Sequence, residues 1–384
     1  MRLNPFARIT LATHYYATGP AMDLEGFLQG RTDELIFVAH PLFEGAGESL
    51  CRIYRAGMLV DSWTRRHSAG VQGFVEDLWR TVRWHRRGSG VSDLFIGGDN
   101  LLALAGLWLR WRGRVRTVVL YSIDFVPTRF ENRLLNRLYH AIDAFAAEHV
   151  DVVWNVSPEI ERARRERDGA RHVAPQIVVP VGAHVGRITR GPAAIESRHE
   201  IAFMGHLLEK QGLQLAIEAM PLIRARVPDA SLRVIGDGPF APTLKSLAEE
   251  RGVADAVEFS GFVEDHEKIE WMLARSALAI APYTPDPMSF TRFADPGKIK
   301  TYLACGLPVV MTDVAAIGAE VQAAGAGCVI PYELQALADA VVSYLTNPVR
   351  LEAARAAAAR LGETFDYDII FASALQATDE LVKR

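Results

Sequence analysis

Residues 294–314, ADPGKIKTYLACGLPVVMTDV, read as a helix between two breaks: Pro296-Gly297 opens it, Cys305-Gly306-Leu307-Pro308 closes it, and a β-branched run, PVVMT, follows. A helix start of this kind offers unsatisfied N–H groups and a positive dipole end, which suit a phosphate. Lys298 falls in the first turn, where acids are the usual choice. A cation placed against helix stability points to an anionic ligand, and a solvated surface lysine is the competing reading. The order turn, helix, Gly-Pro, buried strand is that of a parallel α/β sheet.

The same grammar extends outward in both directions. FMGHLLEKQGLQLAIEAM (203–220) runs strand, Gly205, short loop, Lys210, Gly212, helix, and VIGDGPF (234–240) ends a strand on Gly236-Asp237-Gly238. Three glycine-marked strand ends in one half carry more weight than a lone G-x-G. Short apolar runs recur at 8–14, 34–40, 93–98, 116–122, 151–157 and 176–181, then at 200–204, 231–236, 256–261, 277–282, 308–312 and 327–331. Between them lie helical patterns such as Leu134, Leu138, Ile142 and Phe145, spaced i, i+4, i+8, i+11. This alternation predicts an α/β protein with helices on both faces of each sheet. A polar stretch with Gly and Pro separates the halves. The expected organisation is a Rossmann-like domain over 1–185, a linker over 186–198, a second Rossmann-like domain over 199–365 and a C-terminal helix over 366–384 that crosses back. Ligands in such folds bind beyond the carboxyl ends of the strands.

The chain has 384 residues, 49% hydrophobic and 23% charged, an ordinary folded composition. The longest apolar run, Leu101 to Leu109, falls well short of the ~20 residues that span a bilayer. The first residues show no apolar stretch with a small-residue cleavage site, which predicts a cytoplasmic protein. Cys51, Cys305 and Cys328 share no C-x-x-C spacing and argue against a disulfide framework. The net charge of −4 is uneven: residues 1–190 carry +5 with arginine and no lysine, and residues 191–384 carry −9. The first half is thus the one suited to an anionic surface.

The ordered set FMGHLLEKQG, VIGDGP, FSGFVE, IAPY and PGKIKTYLACGLPVV resembles the donor domain of GT-B glycosyltransferases, especially glycosyltransferase family 4. The likeness is close over about 200–332 and looser in the first half, through THYYATGPA, YSID, WNVSPEI and VPVGAH. It implies two Rossmann-like domains facing across a cleft, with a nucleoside-diphosphate sugar of UDP or GDP type on the second and the acceptor on the first. It implies no metal and no other cofactor. By position, Lys210 and Lys298 match diphosphate-binding lysines, and Gly205, Gly236 and Tyr283 line the donor site. His206 stands where the family has an arginine. The glutamate that holds the donor ribose is Thr301 here, and its partner eight positions earlier is Phe293. Asp286 and Asp295 are the acids nearest to replace them, or else turn residues.

The missing carboxylate pair moves attention to Asp124, just beyond the strand VVLYS. The segment resembles one in bacterial exopolysaccharide glucuronosyltransferases, in which an Asp after this strand acts as base; inversion needs one such base. A turn acid is the alternative. His14 ends the first strand and Gly19 follows in a loop that faces the cleft in GT-B enzymes. His14 reads as an acceptor or phosphate contact, or as a packed strand-end histidine. Asp366 and Asp368 have metal-site spacing but fall in the C-terminal tail, and His206 and His266 lack spaced partners, so no metal is expected. Residues 79–116 hold four of the seven tryptophans and eight arginines. Arg80, Arg83, Trp84 and Arg87 on one helix, with Trp108 and Trp111 on the next, form a patch suited to anionic lipid at the inner face of the cytoplasmic membrane. The expected activity is transfer of a sugar to a glycan or lipid-linked acceptor in cell-surface polysaccharide or glycolipid synthesis. A nucleotide-sugar epimerase and a non-catalytic sugar-nucleotide-binding subunit are the rivals; nucleic acid is not expected.

Overall fold

The computed structural model describes residues 4–15, 19–42, 47–68, 70–123, 125, 128–169, 172–190, 198–285 and 295–384. The chain forms two compact units, Met1–Pro180 with Tyr367–Arg384, and Val181–Asp366.

The first unit is built on an eight-stranded sheet. In chain order its strands are β1 (Arg8–Tyr15), β2 (Glu34–Pro41), β3 (Glu48–Arg55), β4 (Met58–Arg66), β5 (Ser92–Gly97), β6 (Val115–Ser122), β7 (Val152–Asn155) and β8 (Gln176–Val178). Their spatial order is β4-β3-β2-β1-β5-β6-β7-β8, and only the β2–β3 and β3–β4 pairings are antiparallel. Every residue of β2 and β7 is buried, as expected of strands covered on both faces. Helices α1 (Pro20–Gln29), α2 (Gly70–His85), α3 (Asn100–Trp111), α4 (Arg133–His149) and α5 (Pro158–Asp168) connect the strands. The sequence reading lacks the β3–β4 hairpin, because β4 is an exposed edge strand with no alternating pattern.

The second unit holds a six-stranded, wholly parallel sheet of β9 (Glu200–Met204), β10 (Ser231–Ile235), β11 (Val257–Gly261), β12 (Leu278–Ala281), β13 (Val309–Thr312) and β14 (Gly327–Ile330), in the order β11-β10-β9-β12-β13-β14. Its connecting helices are α6 (Leu213–Arg224), α7 (Ala241–Glu250), α8 (His266–Arg275), α9 (Gly297–Ala304), α10 (Gly318–Ala323) and α11 (Leu334–Leu345). Helices α6 and α11 close one face over Phe203, Val234, Ile280 and Val310. Helix α12 (Pro348–Glu363) packs on α9. The last helix, α13 (Tyr367–Lys383), returns to the first unit, where Trp154 Nε1 donates to Thr378 Oγ1 at 2.9 Å and Phe371 is fully buried.

Both sheets reverse strand order beside their first strand, at β1/β5 and at β9/β12. Loops leave in opposite directions there and open a crevice at the carboxyl ends.

Candidate functional site

Lys298 stands in the first turn of α9 and brings its ammonium to the β9/β12 switch point. Its Nζ lies 4.4 Å from the ring centre of Phe203 on β9 and 4.6 Å from that of Tyr283, just after β12. It donates to Gln211 Oε1 at 2.5 Å, and no carboxylate partners it among the described residues. Loss of water lowers its pKa to about 7. Two ring faces and one amide are weak compensation for a lost hydration shell. An incoming anion would supply the missing charge.

The backbone around it is tightly specified. Gly236, at φ +136°, brings the end of β10 onto the end of β9: a Cβ there would lie 2.1 Å from the Gly205 carbonyl oxygen. Gly205 N–H donates to Ile235 O at 2.9 Å, and Leu207 N–H to Asp237 O at 2.9 Å. The Tyr302 hydroxyl accepts from Met204 N–H at 2.6 Å and donates back to Met204 O at 3.2 Å, pinning the end of β9. Gly205 lies against Lys298, since a Cβ on it would be 3.5 Å from Nζ. Lys210 sits in the turn between β9 and α6, where burial lowers its pKa. His206 is exposed on the same loop. Gly205, Lys210, Gly236, Tyr283 and Lys298 thus converge on the carboxyl ends of β9, β10 and β12.

Other expected residues have different employment. The Thr301 hydroxyl donates to Gly297 O of its own helix at 3.3 Å. Asp295 is a staple and no free acid: its Oδ2 accepts from Lys300 Nζ at 2.9 Å and from Val181 N–H at 2.7 Å. Phe293 and Asp286 lie outside the described residues, as does Asp124.

In the first unit, His14 is not available to an acceptor or a phosphate. Its side chain is buried, with Nδ1 at 2.6 Å from Asp99 Oδ2 and Nε2 at 3.4 Å from Asp77 Oδ2. Burial alone would lower its pKa, but the two carboxylates raise it to about 9. Asp77 also accepts from His67 Nε2 at 2.9 Å, and His40 Nδ1 lies 3.0 Å away. Burial would raise the Asp77 carboxyl, but the three imidazoles hold it well below the usual range. His40 is held below its ordinary value by burial, with Ser49 and Thr81 on its two nitrogens at 2.9 Å each. This hub lies at the β1/β5 switch point and eluded the sequence reading. Its trace is Asp77 on the buried stripe Gly73, Asp77, Thr81, Trp84 of α2, an acid where apolar residues belong. Gly19 is the N-cap of α1.

The expected basic-aromatic patch is revised by burial. Trp84 is buried, stacked 5.9 Å from His40, and so belongs to the core. Arg80 turns inward to Glu76 at 2.6 Å and Ser49 at 3.2 Å. The exposed members are Trp79, Arg83, Arg87, Trp108 and Trp111. Arg83 covers Trp79, and Arg112 reaches both Trp108 and Trp111.

Comparison with known proteins agrees with this architecture. Residues 198–347 match the family model described as glycosyl transferases group 1. An alpha-D-kanosaminyltransferase of Streptomyces kanamyceticus is 28% identical over 156 residues, which is 40% of this chain and 38% of that protein. A phosphatidyl-myo-inositol mannosyltransferase of Propionibacterium freudenreichii is 30% identical over 220 residues, 56% of this chain and 50% of that one. A glycogen synthase of Mycobacterium tuberculosis is matched over 41% of its length, so the chain spans about two fifths to one half of these curated relatives. Among solved structures, Anabaena Alr3699/HepE in complex with UDP superposes with a TM-score of 0.73 at 16% identity, over 97% of this chain and 100% of that one. WaaG, a glycosyltransferase involved in lipopolysaccharide biosynthesis, gives 0.65 at 16% identity, over 98% and 100%. Residues 198–347 are therefore similar to glycosyl transferases group 1, within a chain that has the GT-B fold.

Proposed function

We propose that the protein is a glycosyltransferase that moves a sugar from a nucleoside diphosphate to a glycan or lipid-linked acceptor. The observation that carries this reading is Lys298, a desolvated ammonium with no carboxylate partner among the described residues, at the switch point of the second unit. A pyrophosphate satisfies it, and Lys210 adds a second charge from the loop after β9. The Anabaena neighbour holds UDP, which supports a nucleoside-diphosphate sugar, of UDP or GDP type, as donor here. Lys298→Ala is expected to weaken donor binding at least tenfold, because a charged hydrogen bond contributes ~1.5–3 kcal/mol. Unchanged affinity by calorimetry would remove the donor site from this crevice.

On this reading Asp124 takes the proton from the acceptor hydroxyl as it attacks the anomeric carbon, and configuration inverts. Support comes from its place after β6 and from Thr301 and Phe293, which leave no glutamate pair. Asp124→Asn is expected to reduce turnover ~10²–10⁴-fold with donor binding intact. Near-normal turnover, or a product of retained configuration by NMR, excludes it. Membrane-linked acceptors call for a peripheral contact, and the exposed Trp79, Arg83, Arg87 and Trp111 supply a basic, aromatic surface for one. No helix among the described residues is long and apolar enough to cross a membrane.

A further inference from the structure

Helix α4 is built inside out. Leu134, Leu135, Leu138 and Phe145 are 46–74% exposed, whereas the residues that the helix buries are Asp143, Ala144, Ala146 and Ala147. An ordinary surface helix turns its large apolar residues inward and its small or polar ones outward. The rotation of α4 about its axis is not free to correct this. Asp143 is buried and receives Arg164 Nε at 3.2 Å, Arg164 Nη2 at 3.1 Å and Arg167 Nη2 at 2.8 Å. Turning the leucines inward would break a buried ion pair. The spacing Leu134, Leu138, Phe145 (i, i+4, i+11) makes one continuous outward ridge.

The charge around the ridge identifies what covers it. Arg133 and Arg137 flank it, both exposed and without an ion-pair partner among the described residues. Over residues 128–142 three arginines meet one acid, Glu131. Helix α3, which packs beside α4, and the turn after it add the exposed Trp111, Arg112 and Arg114. An apolar ridge between unpaired arginines matches a surface that is apolar below and anionic above. A second copy of the chain would bring like-charged borders together.

We propose that the outward face of α4 inserts into the headgroup layer of an anionic bilayer. The proposal rests on the membrane contact suggested above for its class of partner, but assigns the inserting element to α4. The apolar ridge supplies depth, and Arg133 and Arg137 select phosphate headgroups.

The test is flotation with vesicles of phosphatidylglycerol or phosphatidylcholine at low salt, using the full chain. The wild type is expected to bind phosphatidylglycerol at least about tenfold more tightly than phosphatidylcholine. Leu134→Glu with Leu138→Glu is expected to reduce binding at least about tenfold. Arg133→Gln with Arg137→Gln is expected to abolish the preference for phosphatidylglycerol. These side chains are exposed, so nucleotide-sugar affinity should stay at the wild-type value in both variants and report an intact fold. Three results overturn the proposal: no vesicle binding by the wild type; wild-type binding by the Leu pair while Trp79→Ala with Arg83→Gln and Arg87→Gln abolishes it; or a concentration-dependent dimer in sedimentation velocity that the Leu pair dissolves. None of these bears on donor binding, so the transferase reading fails or stands separately.

Discussion

Donor affinity should depend on pH through one side chain. With its pKa at about 7, Lys298 is charged in about nine molecules in ten at pH 6 and about one in a hundred at pH 9. A bound diphosphate favours the charged form and raises that pKa, so binding above pH 7 must take up a proton. By linkage, affinity then falls about tenfold per pH unit above 7, until the pKa of the complex is reached. The fall cannot exceed the worth of the cation itself, ~1.5–3 kcal/mol for a charged hydrogen bond, or about 10–150-fold. The two limits agree on a loss of ~10–100-fold between pH 6 and pH 9.

The titrant should be a nucleotide sugar, whose esterified pyrophosphate keeps a constant charge, because a terminal phosphate titrates near about pH 6. Calorimetry in buffers of different ionisation enthalpy should count about half to nearly one proton taken up per donor at pH 8. Lys298→Arg should flatten the profile, since guanidinium stays charged. His206→Asn controls for the exposed imidazole on the adjoining loop. The ligand-free protein should show the opposite trend. The folded pKa lies below the ordinary lysine value, so the unfolded chain binds more protons from about pH 7 to about 10.5, and this group's contribution to stability rises across that window. A flat wild-type affinity from pH 6 to 9, or an equal slope in Lys298→Met, refutes the assignment.

Asp77→Asn removes the carboxylate shared by His14, His40 and His67 and should destabilise the first unit by ~3–5 kcal/mol in urea unfolding. The His14 pKa is raised to about 9, so its stabilising share is complete below about pH 6.5 and lost as pH rises through 9; the Asp77 share is present above the ordinary carboxylate range and lost as pH falls below it. Gly236→Ala places a Cβ on the Gly205 carbonyl and should lower both the melting temperature and donor affinity, at a cost of ~1–3 kcal/mol. Arg164→Ala should cost ~3–5 kcal/mol by leaving the buried Asp143 with Arg167 alone and Ser122 and Asn155 without their donor, whereas Arg164→Met with Asp143→Leu should recover much of that stability.

Element type was legible in the chain because parallel strands covered on both faces must be apolar throughout. All twelve apolar runs form strands, and the missing hairpin carries β4, the most exposed strand among the described residues. Facing was less legible. The period of Leu134, Leu138, Ile142 and Phe145 marks a helix, but the inner face of α4 is alanine, which leaves no apolar signature of its own. Trp84 and Arg83 are adjacent in sequence, and only the packing of α2 makes one core and the other surface. In the proposed donor crevice, Lys298 was visible as a cation in the wrong turn. Its supports Phe203 and Gln211 were not, because an aromatic floor and an amide acceptor carry no spacing rule. Asp295 looked like a spare acid because nothing in its neighbourhood shows that Lys300 and Val181 consume it.

Arg164 links two separate arguments about the first unit. It is fully buried, yet binds Asp143 on α4, Asn155 at the end of β7 and Ser122 at the end of β6, the last at 2.8 Å. Its guanidinium also lies 5.5 Å from the ring centre of Phe125. Ser122 and Phe125 bracket Asp124 in the chain, so one arginine holds both flanks of the proposed base and the seat of the proposed membrane ridge. A surface role for α4 and a catalytic role for Asp124 therefore share a support. Arg164→Lys distinguishes a positioning role from simple stability, because lysine keeps the charge toward Asp143 but cannot span Asn155 and Ser122 in one planar fork. Turnover should then fall more than vesicle binding or melting temperature, with the KM for the donor unchanged. Equal losses in all of these would make Arg164 a stability residue alone.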